Sequence, residues 1–158
     1  ADIIAALKSI GQRIPLYMPI HPRTHAQWAD AQMIDLGSAA TERLTATPGL
    51  YGLPPLGYHD FLAIMRHAAF VITDSGGVQE ESTVLGVPCL TLWENTERPV
   101  TVSVGTNVLL GRCPQAMQEQ VERIRRGEWK KGAIPPGWDG HAAERIIAVL
   151  AKWGTESR

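Results

Sequence analysis

The chain has 158 residues, enough for one domain with a real core. Hydrophobic residues make up 44% and charged residues 20%, so neither a disordered nor a fibrous class fits. Fifteen basic and sixteen acidic residues leave a formal charge of −1, which gives no general attraction to nucleic acid or an anionic membrane. No apolar run approaches the ~18 residues of a membrane span, and no basic stretch with an apolar run opens the chain as a secretory signal would. A cytoplasmic location is therefore expected. The two cysteines, Cys89 and Cys113, form no disulfide or metal-ligand framework and read as buried free thiols. The five tryptophans are scattered and read as packing groups.

The predicted elements alternate. Asp2 to Ile10 reads as a helix, with Ile3, Ile4, Leu7 and Ile10 on one side and Gly11 as its stop. Ile14 to Ile20 is a short apolar strand. Thr24 to Leu36 allows a helix, and Pro48 to Leu53 a second, weaker strand. Asp60 to His67 is helical. Phe70 to Thr73 is a strand that runs into Asp74-Ser75-Gly76-Gly77 and another helix, which ends at Leu85 before Gly86. Cys89 to Trp93 and Thr106 to Leu110 are further strands. Pro114 to Arg126 and His141 to Trp153 are closing helices, separated by the Gly- and Pro-rich loop Gly132 to Gly140. Short apolar strands alternating with amphipathic helices imply one parallel sheet covered on both faces by helices. The chain opens on a helix, where a doubly wound domain usually opens on a strand.

The segment Val71 to Glu81 carries the chemistry. A strand delivers the chain to a tight turn, and a helix leaves from it. A helix N-terminus offers unpaired N–H groups and partial positive charge. Gly76 and Gly77 remove side chains, so a phosphate can approach the backbone. Ser75 adds a hydroxyl that can either meet the anion or cap the helix. In open α/β sheets, ligands bind at the carboxyl ends of the strands, where this turn lies. Glu81 follows one helical turn after Gly77, and a carboxylate can accept two hydrogen bonds from a ribose diol. One element could thus hold the diphosphate and ribose of a nucleotide. The alternative is a capped helix whose glycines only ease packing.

Thr73-Asp74-Ser75-Gly76-Gly77-Val78-Gln79-Glu80-Glu81 resembles the signature of the non-hydrolysing UDP-N-acetylglucosamine 2-epimerase family. Other segments resemble that family in the same order. They are His21-Pro22, Pro55 to Phe61, Leu85-Gly86-Val87-Pro88, Thr96-Glu97-Arg98-Pro99, Gly105-Thr106-Asn107 and Trp138 to Ile146. The resemblance covers nearly the whole chain. It implies the C-terminal half of a GT-B-type two-domain enzyme, a Rossmann-like three-layer α/β/α domain over residues 1–158, truncated on its N-terminal side. It implies an isomerase that interconverts UDP-GlcNAc and UDP-ManNAc by elimination and re-addition of UDP, without a cofactor and without a metal.

Residue by residue, the resemblance assigns the diphosphate to Ser75, Gly76 and Gly77, and the ribose to Glu81. The uracil is expected against the segment containing Phe61, partly through its backbone. Arg98 and Glu97 become substrate-side or phosphate groups, although their spacing alone would also suit a solvated turn with Thr96 as an N-cap. His21 is placed near the cleft or near a regulatory UDP-GlcNAc site, against a local strand-end role. No catalytic acid or base is expected on this segment, since the family's carboxylates belong to the other domain. A homodimeric parent enzyme is implied, and no nucleic-acid or membrane partner. The chain departs from the common family pattern at Trp93 and Val100, where many members have Arg and Glu. Two other readings stay open: a UDP-sugar glycosyltransferase domain, and a non-catalytic nucleotide-sugar-binding module.

Overall fold

The computed structural model describes residues 2–20 and 48–156, with the side chains of the last helix described as far as Gly154. The expected helix Thr24 to Leu36 and the candidate His21 lie outside the described residues. In chain order the elements are α1 (Asp2–Gly11), β1 (Pro15–Pro19), β2 (Gly49–Leu53), α2 (Tyr58–His67), β3 (Val71–Thr73) and α3 (Gly76–Leu85). They continue with β4 (Cys89–Thr91), α4 (Pro99–Ser103), β5 (Asn107–Leu109), α5 (Pro114–Arg125) and α6 (Ala142–Glu156).

The alternation read from the sequence is thus an α/β, Rossmann-like arrangement in which, among the described residues, every strand pairing is parallel. Parallel strands need crossovers, and α3 and α4 supply them between β3, β4 and β5. One expectation changes in detail. Among the described residues the strands form two sheets, β1-β2 and β3-β4-β5, in place of one. Between β1 and β3 lies an apolar groove of about 650 Å³, with Leu16 and Met18 on one side and Val71 and Ile72 on the other. The five residues of β1 are all half-buried, whereas β4, flanked on both sides, is fully buried.

The core forms where helical periodicity meets the sheet. Ala6 and Ile10 of α1 recur on one face and pack with Phe70, Leu90 of β4, and Met117 and Val121 of α5. Ile10, Leu90, Met117 and Val121 have no exposed surface. Burying side chains of this kind stabilises by roughly 1.5–3 kcal/mol each. Gly11 ends α1 where a Cβ would sit 3.2 Å from the Gly49 carbonyl group, so the glycine admits close approach to β2.

Helix α3 ends at Gly86 with φ of 72°, a left-handed residue. The Gly86 N–H donates to Thr83 O, and the Val87 N–H donates to Ser82 O. This is a Schellman closure, and it turns the chain directly into β4. Helix α4 was absent from the sequence reading. Pro99 at its first position is the signal, because proline's missing N–H costs nothing there.

Two further readings are corrected. Cys89 is buried, but Cys113 is exposed, because it precedes α5 at a surface turn. Trp153 is 70% exposed on α6 and so is no part of the buried core. Trp129 does pack beside the core cluster, and its indole Nε1 donates to Thr106 O at 3.2 Å.

Candidate functional site

Because β3, β4 and β5 run parallel, their carboxyl ends open on one side of the sheet. The turn Asp74 to Gly77 leaves β3 there, and the loop from Leu92 to Arg98 leaves β4 there. Ser75 occupies the N-cap position of α3 in extended conformation. Its hydroxyl makes no capping bond, and its backbone N–H donates to Thr73 Oγ1 at 3.0 Å. The capping role open to it from the sequence is therefore unused.

The first intrahelical bond of α3 runs from the Gln79 N–H to Ser75 O at 3.4 Å, so the N–H groups of Gly76, Gly77 and Val78 precede the ladder. A Cβ at Gly76 would meet only Glu97 Oε1, at 3.7 Å, and one at Gly77 only Ser75 Oγ, at 4.0 Å. The space above both glycines is open. The first turn of α3 contains no acidic residue, although the Glu97 carboxylate reaches Gly76 from the loop after β4.

Glu81 lies one turn further along α3 and borders a cavity of about 440 Å³. Tyr58 and Leu62 of α2, Glu80, Val84 and Leu85 of α3, and Trp138 complete its walls. Tyr58 is 60% exposed and lines the same cavity as Glu81. Phe61 lies in the same turn of α2 but lines the groove between β1 and β3. Its backbone N–H donates to Gly57 O. The structure thus brings Ser75, Gly76, Gly77 and Glu81 together on one helix and puts the Phe61 side chain on another side of α2. Tyr58 and Trp138 flank Glu81 without having been singled out in the sequence. Trp138 opens one of the segments that resemble the family and Tyr58 lies in another, but neither was given a role there.

Glu97 and Arg98 reach the same region from β4. Arg98 Nε lies 2.9 Å from Glu80 Oε1, at ion-pair distance but off the hydrogen-bond line. The pair is about two-fifths exposed and binds the loop to α3 only modestly. A second cavity, of about 670 Å³, opens beside it, lined by Trp93, Glu94, Thr96, Glu97 and Arg112. Thr96 is not a helix N-cap; its Oγ1 accepts the Arg98 N–H at 3.0 Å, and Arg98 itself is the N-cap residue of α4.

Behind both segments runs a polar network. Thr96 Oγ1 donates to Gln79 Oε1 at 2.7 Å, and Asn107 Nδ2 donates to the same oxygen at 3.0 Å. Asn107 Oδ1 accepts from Thr91 Oγ1 at 2.6 Å. Asn107 Nδ2 also donates to Thr101 Oγ1 at 3.1 Å, and Thr101 Oγ1 donates to Arg98 O at 2.7 Å. Gln79, Thr91, Thr101 and Asn107 are fully buried. Gln79 and Asn107 belong to segments visible in the sequence, but single-residue reading assigned them no role. Among the described residues, no group of His, Cys, Asp and Glu could hold a metal ion.

The UDP-N-acetylglucosamine 2-epimerase family profile matches residues 1–151. A UDP-N-acetylglucosamine 2-epimerase of Methanocaldococcus jannaschii is 38% identical over 133 residues, which is 83% of this chain and 33% of that protein. A UDP-2,3-diacetamido-2,3-dideoxy-D-glucuronate 2-epimerase of Pseudomonas aeruginosa is 31% identical over 153 residues, covering 96% of this chain and 39% of its own length. The solved Methanocaldococcus jannaschii enzyme in complex with UDP-GlcNAc and UDP superposes with a TM-score of 0.61 at 37% identity, over 86% of this chain and 35% of that one. The chain thus spans about a third of the length of the curated relatives it matches. On the profile match over nearly its whole length, the chain belongs to the UDP-N-acetylglucosamine 2-epimerase family.

Proposed function

We propose that this chain is the UDP-binding, C-terminal portion of a UDP-N-acetylglucosamine 2-epimerase. The carrying observation is the α3 N-terminus, where the backbone N–H groups of Gly76 and Gly77 precede the helical ladder beside the uncommitted Ser75 hydroxyl. Ser75, Gly76 and Gly77 hold the diphosphate, and the Glu81 carboxylate accepts from the ribose diol. The uracil lies against the Tyr58–Leu62 turn that includes Phe61. Arg98, steadied by Glu80, answers the charge on the diphosphate as it leaves, and Glu97 faces the sugar side of the turn. His21 joins the sugar side or a regulatory UDP-GlcNAc site.

The reaction proposed for the parent enzyme interconverts UDP-GlcNAc and UDP-ManNAc. A base removes the C2 proton and the C1–O bond to UDP breaks, leaving a 2-acetamidoglucal. UDP then re-adds at C1 while a proton returns to the opposite face of C2. This chain's residues bind and stabilise UDP through both half-reactions. The acid and base are carboxylates of the other domain, and the parent acts as a homodimer in the cytoplasm, supplying precursors of cell-surface polysaccharide.

The relative crystallised with UDP-GlcNAc and UDP supports this reading. A calorimetric titration with UDP tests it. The chain should bind UDP, and Glu81→Ala should weaken binding by about 1.5–3 kcal/mol, the worth of a hydrogen bond to a charged group. Absence of binding by the parent chain, or equal affinity in the variant, would remove the site assignment.

A further inference from the structure

The buried network places Arg98 more tightly than its own side chain does. The Arg98 N–H is accepted by Thr96 Oγ1, and the Arg98 carbonyl accepts from Thr101 Oγ1. Each of those hydroxyls is bonded in turn to the Gln79–Asn107 amide pair. Both faces of the Arg98 residue are therefore gripped by hydroxyls that trace back to Gln79. Gln79 stands at the fourth position of α3, directly behind Gly76 and Gly77.

A network that served stability alone would be an uneconomical choice. Burying amides and hydroxyls gains little even when they are bonded, and apolar groups of the same shape do as well or better. Here the buried Gln79 Nε2 still lacks an acceptor. What the network supplies is direction. Amide and hydroxyl bonds are directional, whereas the burial of apolar surface is not.

We propose that Gln79, Asn107 and Thr96 are positioning residues that clamp the Glu97–Arg98 loop in register with the anion-binding turn, so that Arg98 is preorganised toward the diphosphate. This rests on the reading of Ser75 to Gly77 as the diphosphate site. Thr96 is the point of test. It is only half-buried and valine is its isostere, so Thr96→Val removes the hydroxyl from the middle of the chain of bonds with little change of shape.

The chain is titrated with UDP and with uridine, which lacks the phosphates, and folding is followed by circular dichroism. Thr96→Val should weaken UDP binding about three- to tenfold, the worth of one neutral hydrogen bond, and leave uridine binding unchanged. Thr96→Ser, which keeps the hydroxyl, should recover most of that affinity. In an Arg98→Ala background, Thr96→Val should have no further effect, because the group being positioned is gone.

Equal losses for UDP and uridine, a full Thr96→Val effect in the Arg98→Ala background, or an unfolded Thr96→Val would assign the network to general stability and overturn the proposal. If UDP binds and Glu81→Ala weakens it while Thr96→Val does not, the positioning role alone falls. If the parent chain binds no UDP, the site reading falls and the positioning role falls with it.

Discussion

Helix α6 and the β4 region are both rich in apolar residues, yet they meet opposite fates. Around β4, apolar side chains from α1, α5 and the strand itself close into one cluster, and Leu90 has no exposed surface. On α6, Ile146, Ile147, Val149, Leu150 and Trp153 are each more than half exposed. At its N-terminal end the helix is held to the loop that leads into it. There Arg145 donates to both carboxylate oxygens of Asp139 at 2.9 Å and to Gly137 O at 2.6 Å. The contrast teaches that an apolar stripe states a capacity for burial. Whether the burial happens depends on a complementary surface being within reach.

The largest expected effect separates the two regions directly. Leu90→Ala should destabilise the chain by about 2–5 kcal/mol, since it opens a cavity in a closed core. Leu150→Ala on α6 should stay within about 0.5 kcal/mol, as exposed substitutions do. Urea unfolding of the two variants measures both. A Leu150→Ala cost near that of Leu90→Ala would show α6 buried in solution and break the comparison.

The cysteines sharpen it at a second level. Burial pushes the Cys89 thiol above its ordinary value, partly offset by hydrogen bonds from Ser82 and Thr91. Cys113 is exposed. Iodoacetamide near pH 8 should therefore modify Cys113 in the folded chain and spare Cys89 until the chain unfolds, as peptide mass mapping would reveal. Comparable labelling of both would mean that the sheet region opens as readily as the surface.

The smallest effect concerns the tether of α6. Bidentate pairing with Arg145, together with the His141 backbone N–H, holds the Asp139 carboxyl down at about 2. Since its folded value is depressed, the contribution of the pair is present above about pH 4, the ordinary range for aspartate, and is lost as pH falls through about 2. The pair is solvent-exposed, so its effect is local. An NMR pH titration should show Asp139 protonating near 2 and the amide signals at the start of α6 shifting in the same window. Titration near 4 would show that the tether does not form.

Much of the candidate site was legible because it is local. Ser75, Gly76, Gly77 and Glu81 sit on one strand–turn–helix unit, and helix periodicity alone puts Glu81 one turn beyond Gly77. Asp139 and Arg145 were visible as part of a motif for the same reason. The cavity around Glu81 was not legible, because Tyr58 and Trp138 reach it from α2 and from a distant loop. The side of α2 on which Phe61 lies could not be read either, since that depends on how the helix is rotated against β1 and β3.

By itself, the sequence determined the alternation of elements, their parallel class, the anion-ready turn and the stop at Gly86. Each follows from residue preferences acting within a few positions along the chain. Only the tertiary structure decided that the strands divide into two sheets, that Cys113 and Trp153 lie at the surface, and that Gln79 meets Thr96 and Asn107. Those outcomes depend on contacts between residues far apart in the chain. Asn107, for example, stands 28 residues from Gln79. Which buried polar group finds which partner is settled by the packing of α3, α4 and β5 around them, a three-dimensional fit that no local pattern encodes.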